Sequence, residues 1–324
     1  RNDPISFNDR TSEVMLNQLN LYAERAVNTD GEEWDFGGRV DFMFGTDANN
    51  TPAGGWDDHL IHTKDGYYDV AFPQAYAEIF APVGNGLTAK IGHFYTIIGY
   101  EVVTAPDNFF YSHAYTMLYG EPFTHTGVML SYPINNNFSV TGGAVLGWDN
   151  FRYEAGTWNF LGGVNWASDN EKTAVALSLI TGDSDETSSD TTTMYSIVIS
   201  HNIADNLHYV FQHDFGTHEN GAPSGKDADW YGVNQYLTYD INEELSAGLR
   251  AEWFRDNDGT RTGFDGSYYG ITAGLNWSPL SWLKLRPEVR YDWSDRDNGG
   301  IGNGFDSGTD HEQIAVGMDM IVTF

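Results

Sequence analysis

The chain has 324 residues, no Cys, 36 Gly, 10 Trp, 19 Tyr and 19 Phe, with 16 Lys and Arg against 46 Asp and Glu, for a net charge of −30. Such a balance offers no clustered bases for phosphate and excludes nucleic acid as a partner; the lack of Cys excludes a disulfide framework and a thiolate metal site. Mean hydropathy is −0.42, and no segment approaches the roughly 20 consecutive apolar residues that a membrane-spanning helix needs. Residence in a membrane therefore requires a closed β-barrel, which, like a helix, satisfies every backbone hydrogen bond in lipid. A soluble two-sheet protein remains open by composition. The chain opens at Arg1 with neither an initiator Met nor an apolar export segment, so it reads as processed or truncated.

From the amino-terminal end, period-two alternation predicts a strand over 13–27 and a second from Trp34, where Trp34, Phe36, Val40, Phe42 and Phe44 alternate with Asp35, Arg39 and Asp41. Further strands are predicted over 68–81, 87–95, 125–132, 138–148, 158–166, 173–181, 194–201, 207–215, 230–239 and 268–277. Between 87–95 and 125–132 lies the longest connection, GHFYTIIGYEVVTAPDNFFYS from Gly92, continuing to Pro122. Two later strands set charge against apolar residues most sharply. Leu245, Ala247, Leu249, Ala251 and Trp253 alternate with Ser246, Arg250 and Glu252; Leu283, Leu285, Val289, Tyr291 and Trp293 alternate with Lys284, Arg286, Glu288, Arg290 and Asp292. Faces this charged are a heavy burden inside a small dry core and suit a water-filled lumen. The last strand, 312–324, puts Ile314, Val316, Met318, Met320, Val322 and Phe324 on one face, with only Ile321 out of pattern on the other. One continuous apolar face and one small or polar face suit a wall between lipid and water.

Fifteen strands are predicted in all. The short turns PVGNG, PINNN, ASDNE, DINEE and SPLS alternate with long polar loops, the asymmetry of short periplasmic and long extracellular connections. Counting back from a periplasmic Phe324 leaves Arg1 on the outer side. The expected fold is thus an all-β, antiparallel up-and-down transmembrane barrel of sixteen strands, with its first strand upstream of Arg1 and one domain over 1–324. Trp34, Tyr132, Trp148, Trp166, Tyr239, Trp253, Trp277 and Trp293 fall near strand ends, where interfacial girdles are expected.

Residues 96–122 are expected to fold inward as a constriction. Glu101, Asp107, Asn108 and Glu121 then hang in the lumen opposite wall bases drawn from Arg39, Lys90, Arg250, Arg286 and Arg290, with Glu252 and Glu288 on the same wall. Opposed charges across a narrow waist favour polar solutes and reject lipophilic ones. No GxSxG or HExxH neighbourhood marks catalysis, and His125, His201, His208 and His213 read as wall or interfacial residues. Asp292, Asp295 and Asp297, and separately Asp256 and Asp258, are weak cation candidates without EF-hand spacing; solvated turns explain them better. No cofactor is implied.

The segments FNDRTSEVMLNQLNLYAER from Phe7, WDFGGRVDFMFGTD from Trp34, FPQAYAEI from Phe72 and GHFYTIIGYEVVTAPDNFFYS resemble the beta-barrel porins of the OmpL-like type, and the terminal Phe resembles the carboxy-terminal insertion signal of outer-membrane barrels. His93, Ile97 and Ile98 depart from that family's usual KFYTPFGYE pattern. The resemblance implies an outer-membrane porin for passive diffusion of small hydrophilic solutes and ions, embedded in outer-membrane lipid and lipopolysaccharide, with a homotrimer as the expected assembly. Weak divalent-cation binding is expected on the acidic outer loops. The alternatives are a structural or adhesive barrel working through those loops and a secreted glycan-binding sheet protein.

Overall fold

Alternation of apolar and polar residues lays down one antiparallel sheet in the computed structural model, which describes residues 7–8, 10, 12–58, 60, 67–152, 158–183, 190–295, 305 and 310–324. Its sixteen strands are β1 (Leu19–Arg25), β2 (Asp35–Gly45), β3 (Asp69–Ala71), β4 (Ala75–Ala81), β5 (Leu87–Tyr95), β6 (Thr124–Pro133), β7 (Phe138–Val145), β8 (Asn159–Ala167), β9 (Thr173–Asp183), β10 (Thr191–Ala204), β11 (Leu207–His218), β12 (Ala228–Asp240), β13 (Leu245–Asp256), β14 (Gly266–Leu280), β15 (Leu283–Ser294) and β16 (Glu312–Val322). Each pairs with its neighbours in chain order, apart from one local break. The strand predicted over 68–81 is split into β3 and β4, which both lie along β2. Pro73, between them, has no N–H to offer a ladder, and the Phe72 N–H goes instead to Asp57 Oδ2 at 2.5 Å. The sheet therefore follows a path of fifteen successive staves with β3 off that path.

The two faces of the sheet separate as the alternation requires. On β16, Ile314, Val316, Met318, Met320 and Val322 are exposed, Val316 at 82%, whereas on β13 Arg250 is wholly buried at 0%. Phe36, Val40, Leu249 and Val289 share the outer, exposed face. Ile321 takes the inner face, opposite Lys284 in the register of β15 and β16.

Aromatic side chains form belts at both ends of the staves. Toward the short turns, Trp34, Phe138, Tyr239, Trp277, Trp282 and Phe324 are exposed. Toward the long loops, Trp253, Tyr269 and Trp293 stack in a row, with centroid separations of 6.4 and 5.3 Å. Trp148 departs from the expected girdle: it lies beyond the end of β7 and turns inward, edge-on to buried Trp230 at 6.1 Å. The inner surface offers it apolar neighbours and Arg261.

Both edges of the sheet meet the same inner segment. Ala105 N donates to Gln18 Oε1, beside β1, while the Ala105 carbonyl accepts from Arg286 Nη1 on β15. Tyr111 likewise packs on Gly317 of β16 and reaches Asn17 through its hydroxyl at 3.5 Å. The sheet is thus curled around residues 96–122, with short connections at one end and long ones at the other.

Candidate functional site: the inward-folded loop

The connection from β5 to β6 leaves the wall at Thr96 and makes its first tight turn at Gly99, where φ is +85° and a Cβ would overlap the Glu121 carboxylate. A short turn of 3₁₀ helix over Ala105–Asp107 begins with Pro106 near its N-terminus, and one turn of π helix covers Thr116–Gly120. Asn108 holds the first half together: its Nδ2 donates to the Val102 carbonyl at 2.6 Å and the Thr104 carbonyl at 3.1 Å, while Val102 N donates to its Oδ1 at 2.9 Å. Asn108 therefore stabilises the loop from within, instead of facing open water.

Wall arginines hold the loop by its carbonyl oxygens. Arg286 Nη1 donates to Ala105, Asn108 and Phe110 at 2.9, 2.7 and 3.0 Å, while its other nitrogens engage Asp319 of β16. Arg290 Nη1 donates to the His113 carbonyl at 2.6 Å and Nε to Asp292 at 2.7 Å. Arg250 donates to the Ser112 carbonyl at 2.6 Å and to Glu101 Oε1 at 2.7 Å. Wall glutamates complete the grip by accepting from loop amides: Glu252 from Tyr115 N at 2.6 Å and Glu288 from Tyr111 N at 2.9 Å. Buried charges are tolerated only when such partners surround them.

Glu101 is the electrostatic centre of this docking. Besides Arg250, it accepts from Ala114 N at 2.7 Å and the Tyr236 hydroxyl at 3.1 Å, and lies 3.3 Å from His113 Nδ1. Burial alone raises its proton affinity, but Arg250, then His113 and the Ala114 amide, reverse that effect and bring its pKa down to about 2.

The other expected residues sit apart from this cluster. Arg39 pairs with Asp41 at 2.6 Å and reaches Glu24 at 3.4 Å. Lys90 Nζ lies 4.3 Å over the Tyr76 ring. Asp107 is exposed on the loop, accepting from its neighbour Thr104. Glu121 faces Gln212 and Asp214 of β11, and among the described residues it meets no wall base, since Arg250, Arg286 and Arg290 are committed to residues 101–113. Asp292 is a buried partner of Arg290, Asp295 accepts from Ser267 N at 2.7 Å, and Asp297 lies outside the described residues, as do Asp185, Glu186 and Asp306 of the long acidic loops. Among the described residues no group of three or more metal-ligating side chains is assembled.

Several residues of the site escaped the sequence reading. Asp319, Gln212 and Asp214 stand on the polar parity of predicted strands, so their inward direction was legible while their partners were not. Arg261 of the β13–β14 loop packs against both Trp148 and Trp230, 5.0 and 4.9 Å from the ring centres, and no periodicity marks it. Phe7 packs edge-on against His113 at 4.9 Å, adding the amino-terminal segment to the same interior. Below the loop, toward the short turns, a cavity of about 370 Å³ is lined by Ser139, Asn165, Ala174, Ala176 and Ser200 with no charged side chain.

The family described as "beta-barrel porin-2, OmpL-like" matches residues 1–324. No curated protein sequence matches the chain. Among solved structures, it is similar to Pseudomonas putida OprB in a high-pH structure, with 12% identity, a TM-score of 0.62 and coverage of 95% of this chain and 87% of that one. An anion-selective porin from Comamonas acidovorans gives 11% identity and a TM-score of 0.60, covering 94% and 89%. OmpT of Vibrio cholerae in its trimer form gives 12% identity and a TM-score of 0.57, again covering 94% and 89%. These structures share the fold, and the family match carries the assignment: the chain belongs to the OmpL-like beta-barrel porins and is a bacterial outer-membrane porin for passive diffusion.

Proposed function

We propose that residues 96–122 set the narrowest zone of the pore, and that small hydrophilic solutes and ions pass beside this loop without any chemical step. The observation that carries the reading is the anchoring of the loop's backbone by Arg250, Arg286 and Arg290 together with Glu252 and Glu288. A segment gripped at so many points is a fixed part of the wall, and the polar residues left beside it line the passage. Because Arg250, Arg286 and Arg290 are paired with Glu101, Glu252, Asp292 and Asp319, the waist itself is nearly balanced. A net charge of −30, with acids concentrated in the long loops, enriches cations at the mouth and gives mild cation preference. The neutral cavity toward the short turns adds no counter-selection.

The test is the reversal potential of single channels in a salt gradient, for the parent and for a Glu101→Gln, Asp107→Asn double variant. Cation preference that declines as salt rises supports the reading. Anion preference, or unchanged conductance after deletion of the loop's centre from a barrel that still inserts, overturns it. A homotrimer is the expected assembly, in line with the trimer form of the Vibrio cholerae neighbour, and native mass measurement in mild detergent decides it. Outer-membrane lipid and lipopolysaccharide are the expected surroundings. Divalent cations bind weakly to the acidic outer loops, raising thermal stability more than sodium at equal ionic strength.

A further inference from the structure

Among the described residues, no Lys or Arg meets one buried acid of the loop. Glu121, near its carboxy-terminal end, and Asp214 of β11 are both buried and in hydrogen-bonding contact with one another. Gln212 Nε2 donates to both carboxylates, reaching Asp214 Oδ2 at 3.1 Å. The amide is oriented from behind: Asn234 Nδ2 points to Gln212 Oε1 at 3.5 Å, and Thr116 Oγ1 donates to Asn234 Oδ1 at 3.1 Å.

Among the described residues no Lys or Arg is in contact with the pair, and His213 acts on Asp214 only through space. From the loop come Gly99, Thr116 and Glu101, the last committed to Arg250. Ser196 of β10 stands directly across from Asp214 in the strand register, Asn234 comes from β12, and His213 points to the other side of β11, toward the Tyr195 hydroxyl. Ser196 Oγ and Asp214 Oδ1 are both buried and make no hydrogen bond of normal geometry. Two carboxylates in contact in a dry site cannot both ionise without a counter-charge.

We propose that Glu121 and Asp214 share one proton, and that this proton clamps the carboxy-terminal limb of the loop to β11, so that its loss at alkaline pH releases the limb and widens the pore. The proposal rests on the reading of this loop as the waist. Burial, reinforced by Asp214, pushes Glu121 well above the ordinary carboxylate range, so the proton stays bound at neutral pH. On release it passes to water, leaving two negative charges that repel across the loop–wall contact. Arg250, Arg286 and Arg290 keep their hold on the rest of the loop, so the opening is partial and reversible.

Infrared spectroscopy and bilayer conductance on the full chain test the clamp together. The wild type is expected to show a protonated-carboxyl C=O band at neutral pH that disappears only at alkaline pH, in step with a rise in conductance. A Glu121→Gln, Asp214→Asn double variant loses both the band and the pH dependence. If that variant fails to insert, the wild-type titration decides alone: band loss and conductance rise must coincide. No band at neutral pH, or a band unchanged in a folded double variant, overturns the shared proton. Equilibrium binding of sodium or calcium that the double variant abolishes also overturns it. A band that titrates while conductance stays flat overturns the clamp but leaves the pair. Unchanged conductance after deletion of the loop's centre instead retires the waist reading itself, so the two failures are separable.

Discussion

Arg250 shows what a single side chain does here: wholly buried, it joins a loop carbonyl, a loop carboxylate and a wall hydroxyl. Removing its acidic partner should therefore cost more than a surface ion pair. We predict that Glu101→Gln weakens loop docking by less than the roughly 3–5 kcal/mol that stranding a buried charge costs, because Glu252 stays 3.3 Å from Arg250 Nε, with the barrel intact. Faster proteolysis of residues 96–122 at unchanged strand content checks it. Acid should act the same way. The Glu101 pKa falls from 4.5 to about 2 on folding, so its contribution is complete above 4.5 and lost as pH falls through about 2. Protection of the loop against hydrogen exchange, followed down that range, should fall in wild type and stay flat in the Gln variant. At this scale the sequence was partly legible. Alternation alone turned Arg250, Arg286, Arg290, Glu252 and Glu288 inward; that their partners are backbone carbonyls and amides depends on a loop conformation that no periodicity encodes.

At the scale of elements, the strands were the most readable part, since period-two burial leaves one register for each. The split of the strand over 68–81 follows from Pro73, which has no N–H for the ladder, whereas period-two alternation on both sides of it reads as one strand. The loop's shape depends on small features. We predict that Gly99→Val undocks the carboxy-terminal limb: its φ of +85° disfavours a β-branched residue, and a Cβ there collides with the Glu121 carboxylate. Gly142→Ala is the control, for its nearest neighbour is a Phe160 ring carbon at 3.7 Å. Larger, noisier channel openings are expected in the first and wild-type openings in the second.

For the molecule as a whole, two outward surfaces govern behaviour: the apolar band and the acidic mouth. Val316→Arg, at a site 82% exposed on β16, should cost about 2–4 kcal/mol of insertion if the site lies at the bilayer midplane, read as a lower folded yield into vesicles. The acidic mouth predicts that cation preference fades as salt rises past the point where the Debye length falls to about 3 Å, near 1 M; a selectivity that does not change with salt would place its origin at the waist. Both surfaces were plain in the sequence, the band from parity and the mouth from composition. The interior was not, because Trp148, Arg261 and Phe7 reach it from loops.

The double hold on Ala105 also orders events in time. Its amide is taken by Gln18, 87 residues earlier, and its carbonyl by Arg286, 181 residues later. Neither bond can form in a nascent hairpin, and both come together only when the first and last staves approach. The loop should therefore dock last, as a slow phase after the strands have assembled. During refolding, a wide and leaky intermediate should precede the narrow channel, and Arg286→Met should prolong that leaky stage while leaving the preceding rise in strand content unchanged.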